Sequence, residues 1–528
     1  MSESSATKSI VISAVAPQPA QQRNGPNIAY VRPEVDDLLT RWNLIRHCLA
    51  GEEVVKKEGD KYLPRPNATD TSEENKKRYE QYVLRAVFYN ATARTHNGHV
   101  GQVFADDPKM ELPTTLDPLI ENVDGAGVPL EQQASKTLGK VLAFGRAALL
   151  ADYPVVEKAA TQKDIQEGLI RPTITLFDPW DVINWRTITV GGVVKLCLIV
   201  ISESYVKNDD GFEEVYDDQW RVLRLDDQGL YVVEEWVRDP DNKQEFIIRT
   251  TEGKKHQYFP SDSKGIRLDY IPLTFVGSVN NDATPDLPPL YDLASLNIAH
   301  YRNSADYEEA SYLCGQPTPV LSGLTEDWVK DVLKGAIYFG SRAAIMLPKE
   351  ASAELLQAEP NMIPKEAMEA KEKQMVALGA KLVEQRSVQR TATEAAMDDA
   401  SETSVLATVA ENVSAAYRAV LKWALNFVDK ADTTELIFEL NKDFTLSSLD
   451  SATQAQIISA WQSKAIAFSE MRHVLRKAGI ATLDDEAAKE EIENDPLNMP
   501  IEADPSLTGK GEDPNNPPQD KKPTDTKE

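Results

Sequence analysis

The stretch PPLYDLASLNIAHYRNSADYEEASYLCGQPTP, Pro288 to Pro319, decides how this chain is read. It holds His300, Cys314, several tyrosines and the carboxylates Asp292, Asp306, Glu308 and Glu309. An active site, a metal site and a helix built to pack against other helices would all use such residues. Spacing separates them. One turn from His300 on either side stand Leu296 and Ser304, so no ligand pair shares its helical face. Asp306, Glu308 and Glu309 point around the helix without converging. What remains is a helix of roughly 24 residues, started at Pro288-Pro289, because proline is tolerated in a first turn, and stopped at Gly315-Gln316-Pro317. Ala294, Ile298, Tyr301, Ala305 and Tyr312 fall near one face. A core helix within one subunit and a helix at a subunit boundary both fit this pattern; periodicity alone favours the core helix.

Working outward, 528 residues suffice for two to four domains at ~100–200 residues each. A composition that is 41% hydrophobic and 27% charged is that of a soluble globular protein. The opening MSESSATKSIVISAVAPQPAQQ lacks a basic region followed by an apolar one, so no signal peptide is expected. The longest purely apolar run, LCLIVI at Leu196–Ile201, is far shorter than the ~18–20 residues that cross a bilayer, so no membrane segment is expected. Cys48, Cys197 and Cys314 are odd in number and far apart, with no CxxC. That pattern predicts reduced intracellular thiols rather than disulfides or a cysteine zinc site. The net charge of −27 argues against tight, sequence-independent nucleic-acid binding, which needs phosphate-neutralising Lys and Arg. Part of the charge is local: the last 48 residues carry fourteen Asp and Glu against five Lys. A solvated acidic tail is the expectation there.

Along the chain, residues 1–30 read as a disordered arm. RPEVDDLLTRWNLIRHCLAG predicts a helix from Pro33 to Gly51. ENKKRYEQYVLRAVFYNATARTHNGHVGQVFA predicts one longer helix over 74–105, and a further helix is expected over 130–150. The period then changes to β-branched and aromatic runs broken by Gly191-Gly192, Asp226-Asp227-Gln228-Gly229 and Glu252-Gly253, which predicts an antiparallel meander over about 172–260 and a last strand near 271–276. Beyond Pro288 helices return: one over about 365–384 with Met368, Met375, Leu378 and Leu382 on a stripe, and a second with Leu406, Val409, Val413, Ala416, Val420, Ala424 and Phe427 on one face. Two shorter helices are expected at about 451–463 and 470–478, the latter capped by Ser469 and stopped by Gly479. Seven prolines between Pro496 and Glu528 leave a tail with little to bury. The fold class is α+β.

No motif carries catalysis. There is no GxxxxGK[ST], no GxGxxG between strand and helix, no GxSxG and no HExxH. His96 and His99, with Asp106 and Asp107, form a loose metal set without a strong third ligand, and polar surface is the better reading. Paired carboxylates for glycoside hydrolysis are not identifiable among 84 acids. No catalytic residue, metal site or cofactor is expected.

The order of segments resembles the portal protein of tailed bacteriophages, the head–tail connector. IPLTFVGSVNN ends the β-region, LNIAHYRNSADYEEA follows in a helix, RTATEAAMDDASET interrupts two long helices, and GRAALLADYP is similar to portal wing sequences. The resemblance spans about 31–480. It implies a portal-like fold assembled as a ring: a mixed α/β wing over 31–285, a first stem helix over 286–314 and a short clip over 315–362. A second stem helix would follow over 363–384, a tunnel loop over 385–400, tunnel-flanking and crown-side helices over 401–480, and a disordered tail over 481–528. It implies a homo-oligomer of twelve subunits at the capsid vertex, a virion protein assembled in the host cytoplasm. Double-stranded DNA would pass through it without sequence specificity during packaging and ejection. The implied partners are the terminase large subunit, head–tail adaptor, major capsid and scaffolding proteins, with no membrane and no enzymatic activity of its own. Arg386, Gln389 and Arg390 would face DNA in the channel. His300, Tyr301, Arg302, Asp306, Glu309, Lys371 and Lys373 would lie at the subunit interface, with Arg302, Asp306 and Glu309 meeting Lys371, Lys373 or Glu372 across it. The alternatives are another virion component, such as an adaptor or minor capsid protein, and then a polysaccharide-active enzyme.

Overall fold

The computed structural model describes residues 26–153, 171–316, 318–333, 347–357, 361–379, 392–428, 436–442, 451–477, 481, 483 and 485–494. Its first elements are set by caps. Helix α1 (Pro33–Ala50) opens on Pro33 and ends at Gly51, whose φ is +96°; α2 (Glu52–Lys57) follows directly. Helix α3 (Glu73–Arg85) is capped by Ser72, whose hydroxyl accepts from Asn75 N at 3.2 Å. Helix α4 (Ala91–Val103) is capped by Asn90, whose side chain accepts from Ala93 N at 3.0 Å. The pattern that predicts one helix over 74–105 is therefore split at residues 86–90.

A short strand β1 (Lys109–Glu111) and helix α5 (Asp117–Glu121) lead to α6 (Leu130–Phe144), which stops on Gly145 in the left-handed region at φ +74°. The helix expected up to residue 150 ends here, and Arg146–Asp152 is strand β2 instead. A short, wholly buried apolar run has no period that distinguishes a strand from a helix. Strand β2 is the middle of a three-stranded antiparallel sheet, between β3 (Thr173–Phe177) and a strand from much later in the chain.

The next strands are β4 (Val182–Val190), β5 (Val193–Asp209), β6 (Glu214–Leu225) and β7 (Tyr231–Arg238), followed by the shorter β8 (Phe246–Ile248), β9 (Thr250–Thr251), β10 (Lys254–Lys255) and β11 (Gln257–Tyr258). They form an antiparallel sheet in the order β11-β7-β6-β5-β4, with β8 also on β7 and β9 paired with β10 apart. This is the meander expected over 172–260, except that β3 leaves it for the other sheet. Strand β12 (Leu273–Gly277) completes the three-stranded sheet by pairing with β2, Leu273 opposite Leu150 and Gly277 opposite Arg146.

Helix α7 (Tyr291–Cys314) follows, then β13 (Thr318–Ser322) and β14 (Ser352–Leu356), which pair antiparallel, and helix α8 (Ile363–Ala377). Helix α8 ends earlier than the expected 384, ahead of Gly379 at φ +121°. Helix α9 (Ala392–Val428) begins inside the stretch expected as a loop over 385–400, whose Ala- and Glu-rich half favours helix. Strand β15 (Ile437–Glu439) pairs with β1.

Helix α9 supplies the middle of the core. Leu406, Val409, Val413, Ala416, Val420, Ala424 and Phe427 are all buried, as the 3.6-residue period predicts, and the helix packs on β2, β12 and α6. The fully buried Tyr417 donates its hydroxyl to Gln133 Oε1 at 3.1 Å and stands 3.0 Å from the Thr137 hydroxyl; burial pushes its phenol pKa up. A buried hydroxyl needs such partners, because leaving it unpaired costs about 1–3 kcal/mol.

Contacts divide the chain into two compact units, Met1–Phe444 and Thr445–Glu528. The second holds α10 (Ser451–Gln462), α11 (Phe468–Lys477) and α12 (Asp485–Asn494). Helix α11 starts one residue before the expected cap Ser469, and Ala467 N donates to Glu470 Oε2 at 2.7 Å. Gly479 lies outside the described residues. Helix α12 lies inside the stretch expected to be a disordered tail; its DEAAKEEIEN is acidic at the N-terminal end, where the helix dipole favours anions. Among the described residues no helix is long and apolar enough to cross a membrane.

Candidate functional site

The stretch from Pro288 to Pro319 folds as the expected helix, Tyr291–Cys314, and its polar groups are tied to four other helices or their connections. Helix α7 packs on α8, α1, α3 and α4. Its buried Asn297 accepts from Thr92 N at 3.1 Å and Thr92 Oγ1 at 2.9 Å, and donates to Tyr89 O at 2.7 Å. Ser304 Oγ accepts from Val87 N at 2.8 Å, and the Phe88 ring meets Tyr301 edge-on at 6.0 Å. Residues 86–92 are thus strapped across α7, which is why α3 and α4 are not one helix. Three backbone groups that a continuous helix would have satisfied internally are satisfied by α7 side chains instead.

Further along α7, Arg302 Nε donates to Tyr62 O at 2.7 Å and Asp306 Oδ1 accepts from the Tyr82 hydroxyl at 2.6 Å. Glu309 pairs with Arg85, with Arg78 at 3.7 Å, and the Arg85 guanidinium also lies 4.3 Å from the centre of the Tyr312 ring. The Asp306 carboxylate helps hold the Tyr82 phenol pKa above its ordinary value, although burial is the larger cause. His300 is buried; its Nε2 donates to Glu372 Oε1 at 3.2 Å, and its Nδ1 has no hydrogen-bond partner among the described residues. Lys371 reaches Asn303, Tyr301 is 1% exposed within the chain's own core, and Lys373 is exposed.

Arg302, Asp306 and Glu309, expected to meet Lys371, Glu372 or Lys373 of a neighbouring subunit, therefore find partners on α3 and on the backbone at Tyr62 in their own chain. The sequence held no signal for this, because the partners lie more than two hundred residues upstream. Helices α7 and α8 leave an open cleft of about 530 Å³ bordered by Asp292, Ser295, Leu296, Gln374 and Leu378.

Toward its C-terminal end α7 loses its cover. Tyr312 and Leu313 are half exposed, and beyond them Val320 on β13, Leu355 and Leu356 on β14, and Met362 and Ile363 at the start of α8 are exposed too. This run of large apolar side chains is what sequence periodicity missed, since strands of five residues in a loop-rich segment carry almost no pattern.

The histidines read as a loose metal set are occupied otherwise. His96 Nε2 donates to Gly139 O at 2.9 Å, and His99 is half-buried beside Gly379, burial lowering its pKa. Among the described residues no group of three or more His, Cys, Asp or Glu is placed to hold a metal. None of the three cysteines is in a disulfide; burial pushes the Cys48 thiol up to about 12, so it is inert as a nucleophile. Arg386, Gln389 and Arg390 lie outside the described residues.

One charged group stands apart. Arg146, at the start of β2, is 2% exposed, with its guanidinium 4.1 Å from the centre of the Trp185 ring and 3.8 Å from that of Phe275. Burial pushes its pKa down to about 9, against the pull of Asp282, so it keeps its charge at neutral pH. The two ring faces supply the attraction that hydrogen bonds do not.

Compared with solved structures, the chain is similar to one described as "Neck of native GTA particle computed with C12 symmetry", at 12% identity and a TM-score of 0.39, covering 74% of this chain and 92% of that one. No curated protein matches. Residues 289–428, from the start of α7 to the end of α9, match a family described only as a domain of unknown function (DUF4055).

Proposed function

We propose that this chain is a portal-type subunit. Its copies form a ring, of twelve by the family resemblance, at one capsid vertex. Double-stranded DNA passes through the ring, and terminase and then adaptor or tail proteins dock on it. The observation that carries the reading is the apolar run from Tyr312 to Ile363, which no part of the described chain covers. Exposed large apolar side chains gathered in one segment mark an association face, and these lie in the chain between α7 and α8, where the resemblance places the clip and stem. Copies meeting there would cover it. The net charge of −27 suits a conduit that must not hold phosphates tightly.

Native mass measurement of the full chain tests the ring. Twelve copies of the 58.6 kDa chain give a particle of about 700 kDa with a central hole. Leu355→Asp with Leu356→Asp should abolish it while circular dichroism stays unchanged, because both side chains are about two-thirds exposed in the single chain. A wild-type chain that stays monomeric at every concentration and salt would overturn the proposal. In the same system Arg386→Glu with Arg390→Glu should leave rings intact and reduce the DNA retained in filled particles. Normal retention would remove both arginines from the channel. Rings that assemble but have no part in packaging would favour an adaptor.

A further inference from the structure

Strands β5 and β6 outrun their sheet. Every residue from Val206 to Asp218 is exposed, and at the tip Phe212 is completely so. The turn is stiffened rather than loose: Asp209 Oδ1 accepts from Gly211 N at 2.7 Å, and Asp210 Oδ1 accepts from Phe212 N at 2.9 Å and Glu213 N at 2.7 Å. The ribbon therefore presents one phenyl ring on a fixed turn, ringed by carboxylates. A phenylalanine left in water forgoes about 1.5–3 kcal/mol of burial.

Elsewhere in the same unit, α1, α4 and α6 leave a groove of about 590 Å³ with a floor of Leu49, Val100, Ala143 and Phe144. Its rim is cationic in a chain that is otherwise strongly acidic. The exposed Lys136 borders it, and Arg46 and Arg94 stand one helical turn from the lining residues Leu49 and Asn97. On the α6 side Asp178 pairs with the lining Lys140, and Glu131 stands a turn before Ser135. Lys136 is thus the lining cation of α6 with no carboxylate partner shown among the described residues. Gly101 lines the groove, and a Cβ there would meet open space, so nothing inside the chain requires a glycine. A glycine inside a helix costs about 0.5–1 kcal/mol relative to alanine.

We infer that the acidic β5–β6 tip of one copy docks in this cationic-rimmed groove of a second copy, with Phe212 on the apolar floor. The two patches differ, so the contact is head-to-tail and propagates from copy to copy, closing where the rotation permits. The proposal deepens the ring reading and rests on it for the second copy; its contact lies away from the apolar run between Tyr312 and Ile363.

The test replaces Phe212 by the photo-crosslinker p-benzoyl-phenylalanine in the full chain. Isotopically labelled and unlabelled chains are co-assembled, irradiated and mapped by mass spectrometry. The expected product is a mixed-label link from position 212 to residues 96–101 or 135–144. Gly101→Leu should fill the groove and cut the link yield about ten-fold, equivalent to ~1.4 kcal/mol, while the helical spectrum is kept. Lys136→Glu should lower the yield by up to about five-fold, as for exposed ion pairs, and Glu213→Lys added to it should restore the yield. Rings whose position 212 links elsewhere, or not at all, overturn the contact and leave the ring reading standing. A link within one chain also overturns it. A chain that never associates overturns both.

Discussion

Replacing Asn297 by leucine should cost about 3–5 kcal/mol of stability, the range reserved for broken buried networks. The residue is fully buried, and its amide serves Thr92 N, Thr92 Oγ1 and Tyr89 O at once. Leucine matches its size but satisfies none of them, and each buried group left unpaired costs about 1–3 kcal/mol. Part of that would be recovered by the strap of residues 86–92 lifting toward water. The loss should therefore be visible locally, as faster hydrogen exchange at Val87 and Thr92, as well as in the denaturant midpoint of the first unit. Thr92→Val removes one partner and should cost about 1–2 kcal/mol. A leucine variant within about 1 kcal/mol of wild type, with unchanged exchange, would show that α7 does not hold the strap.

Gly145→Ala should cost about 2–4 kcal/mol, from two sources, backbone strain and a steric clash. At φ +74° an L side chain carries about 1–2 kcal/mol of strain. The new Cβ would also stand 2.8 Å from both Asp286 O and Leu287 O, which are backbone atoms and cannot swing aside. The chain entering α7 would have to move, and with it Asp286, whose carboxylate accepts from Val279 N at 2.7 Å. Gly101→Ala is the matched control: it is helical, meets open space, and should stabilise by about 0.5–1 kcal/mol. Calorimetry of the two variants side by side checks the pair. Equal midpoints would mean the α6–β2 corner tolerates a side chain that the geometry forbids.

The sequence made some of this legible and not the rest, for physical reasons. Helices α1 and α7 announce themselves through proline at the start and glycine at the stop, and α9 through a 3.6-residue apolar period that survives over several turns and selects only buried residues. The β4–β7 meander is visible through its turns. Strand β2 is not, since a short run buried on both faces has no alternation to read. The break between α3 and α4 is invisible for a different reason: it is made by Asn297 and Ser304, over two hundred residues away. The same distance hides the partners of Arg302, Asp306 and Glu309. Of the groups that made the stretch look chemical, His300, Asp306 and Glu309 are helix-packing groups with partners on α8 and α3. Composition gave no hint that the α8 end would be left uncovered.

The place of α9 in the chain has a consequence for synthesis. Its apolar face fills the centre of the core formed by β2, β12 and α6, yet it comes off the ribosome only after some 390 residues have been made. At about 5–20 residues per second, the half-built core is open to water for tens of seconds. Strand β1 waits longer still for β15. The nascent chain must therefore be shielded, by chaperones or by its own transient contacts, until residue 428 has emerged. Truncations ending before α9 should be recovered in aggregates, whereas those ending after β15 should be recovered in solution.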